Sequence, residues 1–430
     1  MKTLDEMYLE LRNGGLDAAL KAVYADSDEA DRQKKRLCGV MDSFAALFGC
    51  EREISLFRAP GRTEVGGNHT DHNHGRVLAA GINLDAVAAA SKNDENVVRV
   101  KSEGHDMNVV GLSSLTPAAA ETGRSSALVR GVCAGFVQCG YNVGGFDAAT
   151  ASDVLSGSGL SSSAAFEVLV GTILNHLYND GRVSGVEIAQ IAQYAENEFF
   201  GKPCGLMDQT ASAVGGFIII DFRDPKKPVI EKLDFDFASC GHSLCIVDTG
   251  GSHASLTDEY AAVRGEMISA AKVFGRDVLC DVPESLFWEN ISRVRELAGD
   301  RAVLRAMHFY GDNERVLKEV AALKNGDFEE FKRYVIESGR SSYMYNQNVY
   351  ACQSPQSQSV SLALAMSEKL LNGRGAWRVH GGGFAGTIQA FVPGDLLDTY
   401  KAAMEAVFGV GSCKALKVSP VGGTRLCREG

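Results

Sequence analysis

The run Gly61-Arg62-Thr63-Glu64-Val65-Gly66-Gly67-Asn68-His69-Thr70-Asp71-His72-Asn73 gathers one arginine, two carboxylates, two histidines and two asparagines around three glycines. Side chains of these types in so short a span build a polar pocket and not a core. A second run, Leu155-Ser156-Gly157-Ser158-Gly159-Leu160-Ser161-Ser162-Ser163, opens an apolar helix. Glycines let backbone N–H groups converge, the helix N-terminus adds partial positive charge, and serine hydroxyls can reach a phosphate oxygen or Mg²⁺. It is not a Walker sequence, because no Gly-Lys-Ser/Thr follows. A glycine-serine turn of this kind is also an ordinary helix start, and the three consecutive serines favour the anion site. His69, His72 and His74 with Asp71 raise a further chemistry, a zinc-like cation, provided that one turn aims all of them inward.

Elements must hold these groups in place. The run Ile54-Ser55-Leu56-Phe57 reads as a strand just ahead of the polar segment, and Val87–Ala90 and Val97–Val100 as further strands. Residues 1 to about 50 read as helical, with apolar positions at three- and four-residue spacings and a break at Asn13-Gly14-Gly15. Ala164–Leu174 is apolar on nearly every side, so it should be a buried helix. A long helix is expected from Gly185 to Phe200 with Glu196 near its C-terminal end, and a strand at Phe217–Phe222. Beyond about residue 235 the pattern restarts, with a strand at Ser243–Asp248, helices over 257–274, 313–339 and 357–371, and strands near Ala376 and at Thr387–Val392.

With 430 residues, two packed domains are expected. We divide the chain into an N-terminal helical extension (1–50) packed on a first domain (51–235) and a second domain (236–430). The formal charge of −11 argues against a nucleic-acid or anionic-membrane binder, so a phosphate ligand must be held locally. Eleven scattered cysteines without a CxxC pair read as reduced thiols of a cytoplasmic protein. No signal peptide or membrane-spanning run is expected.

Four segments in order resemble the galactokinase branch of the superfamily of galacto-, homoserine, mevalonate and phosphomevalonate kinases. Gly61-Arg62 with His69-Thr70-Asp71-x-Asn73 is similar to the sugar signature GRxNLIGEHTDYN, and Gly157 to Ala165 to the phosphate loop GxGLSSSAA. Cys204-Gly205-Leu206-Met207-Asp208-Gln209 resembles the CGxMDQ segment, and His380 to Gly386 the closing TGGGFGG motif. Arg305 to Ser338 resembles the family's helical region, so the likeness covers roughly residues 35 to 425. It implies an α+β two-domain small-molecule kinase fold. The N-terminal domain would be ribosomal-protein-S5-like, the C-terminal one ferredoxin-like, with the active site in the cleft.

The resemblance also implies roles. ATP would phosphorylate the anomeric hydroxyl of D-galactose, giving galactose 1-phosphate and ADP. Asp208 takes the place of the catalytic carboxylate, with Arg62 beside it to keep it ionised and to stabilise moving charge. Whether Asp208 removes the proton early or mainly orients the hydroxyl stays open. Gly157, Ser158, Gly159, Leu160, Ser161, Ser162 and Ser163 would bind the ATP phosphates, and Ser163 and Glu196 would ligate Mg²⁺ through oxygen. Asn68, His69, Asp71, Gly205 and Tyr260 would contact the sugar. Without the resemblance, Glu196 reads as a solvated helix residue and Tyr260 as core. The partners implied are sugar and ATP, in a monomer.

Several positions depart from the family pattern: Asn68 for glutamate, His72 for tyrosine, Glu64 for asparagine, Leu155 for proline, Ala385 for glycine, and a longer N-terminus. Like charges about 4 Å apart cost roughly 4 kcal/mol at an effective dielectric near 20, so a glutamate at position 68 would repel a uronic acid. Asn68 removes that barrier, which makes galacturonate, or another sugar of the superfamily's 1-kinases, an alternative substrate. A non-catalytic ATP- and sugar-binding sensor is a further alternative, disfavoured by the presence of Asp208, Arg62 and the full serine run. Mevalonate kinases would lack the HTDxN signature.

Overall fold

In a computed structural model describing residues 1–24, 27–154, 160–202, 204–250 and 256–427, the strand begun at Ile54 runs on into the polar segment. The strands in chain order are β1 (Lys2–Thr3), β2 (Glu53–Gly66), β3 (Arg76–Lys92), β4 (Val97–Ser102), β5 (Met107–Gly111), β6 (Phe146–Ser152), β7 (Phe217–Asp221) and β8 (Val229–Leu233). They continue with β9 (His242–Asp248), β10 (Ala376–Val379), β11 (Thr387–Pro393), β12 (Cys413–Leu416) and β13 (Thr424–Leu426). Nine strands form one sheet along the path β1-β2-β3-β6-β4-β5, with β13 on β2, β7 on β3 and β8 on β7.

Every residue of β2 after Glu53 is buried because both faces of the sheet are covered. Side chains alternate along a strand. Ile54 and Leu56 point into a cluster with Leu4, Leu20, Leu37, Met41 and Phe44 of the N-terminal helices. Phe57 and Ala59 point the other way, against Val168, Leu169 and Ile173 of the helix Ser162–Tyr178. β2 and β3 pair antiparallel with register shifts at Pro60/Arg62 and Glu64/Gly66. Such irregularities re-aim side chains next to functional sites.

The second sheet runs β10-β11-β9-β12. Its helices Ser359–Leu371 and Leu397–Phe408 pack on one face through Val360, Ala363, Tyr400 and Met404, giving the strand-helix-strand-strand-helix-strand order of a ferredoxin-like unit. The opposite face, with Leu244, Ile246 and Phe391, joins the core of the first sheet together with Val316 and Phe331. The fold is thus the expected two-domain α+β arrangement. No described helix is long and apolar enough to cross a membrane.

Two local expectations change, and one strand joins the first sheet from afar. The helix begun at Gly185 is α-helical only to Tyr194, and Ala195–Phe200 is a π-helical turn that carries Glu196. The stretch 313–339 is two helices, Asp300–Lys324 and Phe328–Ser341. Gly326 at φ +68° ends the first, and the Asp327 side chain caps the Glu330 N–H of the second at 3.0 Å. The last strand, β13, leaves the C-terminal region and pairs with β2.

Candidate active site

Arg62 and Asp208 meet from different elements. Arg62 lies at the first irregularity of β2, where its backbone N–H donates to Leu160 O at 3.3 Å. Asp208 is the second residue of the helix Met207–Val214. The guanidinium makes a two-pronged contact, Nε to Oδ1 at 2.6 Å and Nη2 to Oδ2 at 2.8 Å. Paired donors of this kind give direction as well as strength. Burial alone would raise the Asp208 carboxyl, but Arg62 and the Ser161 hydroxyl, which donates to Oδ2, hold it below its ordinary value. The Asp208 side chain remains 29% exposed, so a ligand can reach an ionised carboxylate.

Ser161 sits at φ +57° at the start of the helix Ser162–Tyr178 and makes no capping hydrogen bond. Its hydroxyl is turned to Asp208, which leaves that helix N-terminus without a side-chain cap from Ser161 and suited to an anion. Leu160 is buried and Ser162 and Ser163 are half-buried at the same end. Gly157, Ser158 and Gly159 lie outside the described residues.

Ser163 Oγ donates to Glu196 Oε1 at 3.1 Å, which brings the two expected metal ligands together. Lys202 Nζ lies 3.2 Å from the same oxygen. Gln209 Nε2 donates to Glu196 Oε2 at 2.7 Å and to Glu167 Oε2 at 3.2 Å. Burial and the neighbouring Glu196 charge raise the Glu167 carboxyl well above its usual value. Its Oε1 has no hydrogen-bond partner among the described residues. A hydroxyl, a carboxylate and a buried carboxyl with an unused oxygen form a hard-oxygen set that fits Mg²⁺.

On the far side of Asp208, Asp71 opens the turn Asp71–Asn73. Burial raises its carboxyl and the charge of Asp208 adds to this. Gly205 lies against it: a Cβ there would stand 2.7 Å from Asp71 Oδ2, closer than real contacts allow. His69 Nε2 contacts Gly382 O at 3.0 Å, and Tyr260 donates to Gly383 O at 2.9 Å while its ring meets Phe384 edge-on at 5.4 Å. Gly383 has φ +80°, and a Cβ would fall 1.9 Å from Asn348 O, so only glycine fits. The loop 381–383 is therefore tied to the signature turn through Asn68 and His69.

Asn68 is engaged within the protein. It is fully buried, and its Nδ2 donates to Glu64 Oε1 at 2.9 Å and Gly381 O at 2.8 Å. Its Oδ1 accepts from Asn348 Nδ2 at 2.8 Å and Ser342 Oγ at 3.2 Å. Both donor hydrogens and both acceptor sites are used within the protein, so Asn68 would have to give up one of these partners to bind a sugar.

Sequence reasoning missed what lies behind this amide. Arg378, wholly buried on β10, donates to Glu64 Oε1 at 2.6 Å and to Val65 O at 2.7 Å. Burial pushes the Glu64 carboxyl up to about 7 against the pull of Arg378. An arginine in the four-residue strand Ala376–Val379 carried no signal, whereas Gln209 stood in a quoted motif without a role. As for the histidines, no group of three His, Cys, Asp or Glu side chains among the described residues could hold a metal ion. His69 and His72 instead contact each other at 3.2 Å.

Residues 127–216 match the family domain described as GHMP kinases N terminal domain, and residues 42–92 the galactokinase galactose-binding signature. A galactokinase of Streptomyces coelicolor is 33% identical over 88% of this chain and 95% of its own length. The chain belongs to the galactokinase family. It is thus a sugar kinase, a phosphotransferase. A second galactokinase, from Glaesserella parasuis, is 31% identical over 83% of this chain and 90% of its own length. Among solved structures, Lactococcus lactis galactokinase complexed with galactose superimposes with a TM-score of 0.75 at 24% identity, covering 90% of this chain and 99% of that one. A mevalonate kinase follows with a TM-score of 0.61 at 12% identity, over 85% and 99% of the two chains. These two likenesses concern the fold alone.

Proposed function

We propose that this galactokinase-family chain transfers the γ-phosphoryl group of ATP to the anomeric hydroxyl of D-galactose. The observation that carries the reading is the two-pronged Arg62–Asp208 pair, partly open to ligand, beside the N-terminus of the helix Ser162–Tyr178. A sugar hydroxyl placed at Asp208 donates its proton toward the ionised carboxylate, which orients the oxygen for attack on phosphorus. The new O–P bond forms as the bond from phosphorus to the β,γ-bridging oxygen breaks, and ADP leaves. Arg62 fixes the carboxylate and offsets charge beside the transferred group. The helix N-terminus and the hydroxyls of Ser162 and Ser163 hold the phosphates.

Ser163 and Glu196 would hold Mg²⁺, with Gln209 orienting the Glu196 carboxylate. When bound, the cation supplies positive charge to the ATP phosphates. Asp71, with Gly205 allowing close approach, and His69 face the sugar hydroxyls, and Tyr260 holds the glycine loop over them. The test is ADP release from Mg²⁺-ATP with galactose, galacturonate, N-acetylgalactosamine, arabinose and mevalonate. Turnover is expected with galactose. No turnover with any acceptor overturns the kinase reading, and a strong preference for galacturonate overturns the substrate.

A further inference from the structure

His72, which stands where the family pattern has tyrosine, lies on a line of hydrogen bonds whose direction follows from its ends. At one end His69 Nε2 is 3.0 Å from Gly382 O. A carbonyl only accepts, so Nε2 carries the hydrogen. Burial pushes His69 down to about 4 and His72 well below its usual value, so both rings are neutral. A neutral His69 with hydrogen on Nε2 has only a lone pair on Nδ1. The contact from His69 Nδ1 to His72 Nε2, at 3.2 Å, therefore requires His72 to donate from Nε2. Its own Nδ1 is then an acceptor, and Asn73 Nδ2 lies 2.9 Å from it. At the other end Asn73 Oδ1 accepts from the Leu279 N–H at 3.1 Å, and Nδ2 also reaches Met267 Sδ at 3.3 Å, which fixes the orientation of the amide. Leu279 and Met267 are buried in the apolar cluster that contains Phe309.

We propose that His72 is a positioning residue: anchored through Asn73, it donates to His69 Nδ1 and so keeps the Nε2–H of His69 available to the cleft whether or not the glycine loop is in place. The Gly382 carbonyl imposes the same tautomer only while it touches His69. Once a sugar displaces that contact, an imidazole without a partner on Nδ1 would exchange between tautomers, and a share of its encounters would present a lone pair instead of a donor. His72 removes that exchange. This rests on the reading of His69 as a sugar contact, whereas the hydrogen-bond direction does not.

Two measurements separate the two. Two-bond ¹H–¹⁵N spectra of the ligand-free protein should show His69 and His72 each protonated on Nε2 alone. Protonation of His69 on Nδ1, or a tautomer average, overturns the proposal without any reference to substrate. With galactose saturating, the wild-type protein should keep the pure Nε2–H form, His72→Phe should show a mixture, and His72→Gln, whose amide can still donate, should restore it. In parallel, His72→Phe should raise KM for galactose by about two- to threefold, the reciprocal of the fraction of His69 that keeps Nε2–H, with kcat unchanged. His72→Gln should recover it. A pure Nε2–H signal in galactose-bound His72→Phe overturns the role of His72. If the wild-type protein turns over no sugar, the proposed function fails while the ligand-free spectrum still decides the direction of the hydrogen bonds.

Discussion

Strand β2 carries two arginines four residues apart, and each holds an aspartate. Arg58 Nε donates to Asp85 Oδ2 at 2.7 Å, with both side chains at 0% exposure. Asp85 also accepts from Tyr24 at 2.6 Å and Arg36 at 2.5 Å, and Arg58 reaches Ser419 Oγ and Val421 O, each at 3.0 Å. This pair joins the N-terminal helices, the sheet and the C-terminal segment. Arg62 and Asp208 have similar geometry, but Asp208 is 29% exposed and also accepts from a serine at a helix N-terminus. Both aspartates are held below their ordinary values despite burial. A depressed carboxyl therefore does not mark a catalytic group by itself.

Four experiments test that contrast. Asp208→Asn should lower kcat by roughly 10²–10⁴-fold in the ADP-release assay while the melting temperature changes little. A large loss of stability with activity retained would reverse the two assignments. Asp85→Ala removes one partner of a sealed network and should cost about 3–5 kcal/mol in denaturant unfolding, with kcat per folded molecule unchanged. Gly205→Ala places a methyl group against Asp71 and should lower kcat/KM by up to about a hundredfold with no comparable loss of stability.

The smallest effect concerns pH. Asp85 and Asp208, with depressed folded-state values, contribute stability above the unfolded carboxyl value of about 3.9 that is lost on acidification below it. Glu64 is raised to about 7, so the folded state binds the extra proton and stability declines as pH rises from about 4 to 7. Glu64→Gln should remove that decline from unfolding free energies measured across the window. An unchanged slope would show that another group causes it.

Much of the site was legible because its residue types are unusual for a core. Asp208, Arg62, Ser163 and Glu196 were expected together, and they lie in two linked clusters. The family signature places Asn68 at the sugar. Only the arrival of Ser342, Asn348 and Gly381 from the distant 342–381 region shows its amide to be full. Arg378 and Glu167 escaped notice for a related reason, since an arginine in a short strand and a glutamate in an apolar helix gain meaning only from what they face. The helix break at Gly326 was hidden by apolar periodicity that continues across it.

Local chemistry written into the chain determined the reaction class, the strand and helix alternation, and the glycine- and serine-rich helix start, because these depend on neighbours a few residues apart. Tertiary structure alone decided which of two arginine–aspartate pairs is open, whether Asn68 has a free hydrogen bond, and which way the His69–His72–Asn73 line points. Each of those depends on burial and on partners more than 200 residues away in the chain, such as Leu279 for Asn73 and Ser342 for Asn68. A hydrogen-bonding group has a fixed number of valences, and folding determines who fills them.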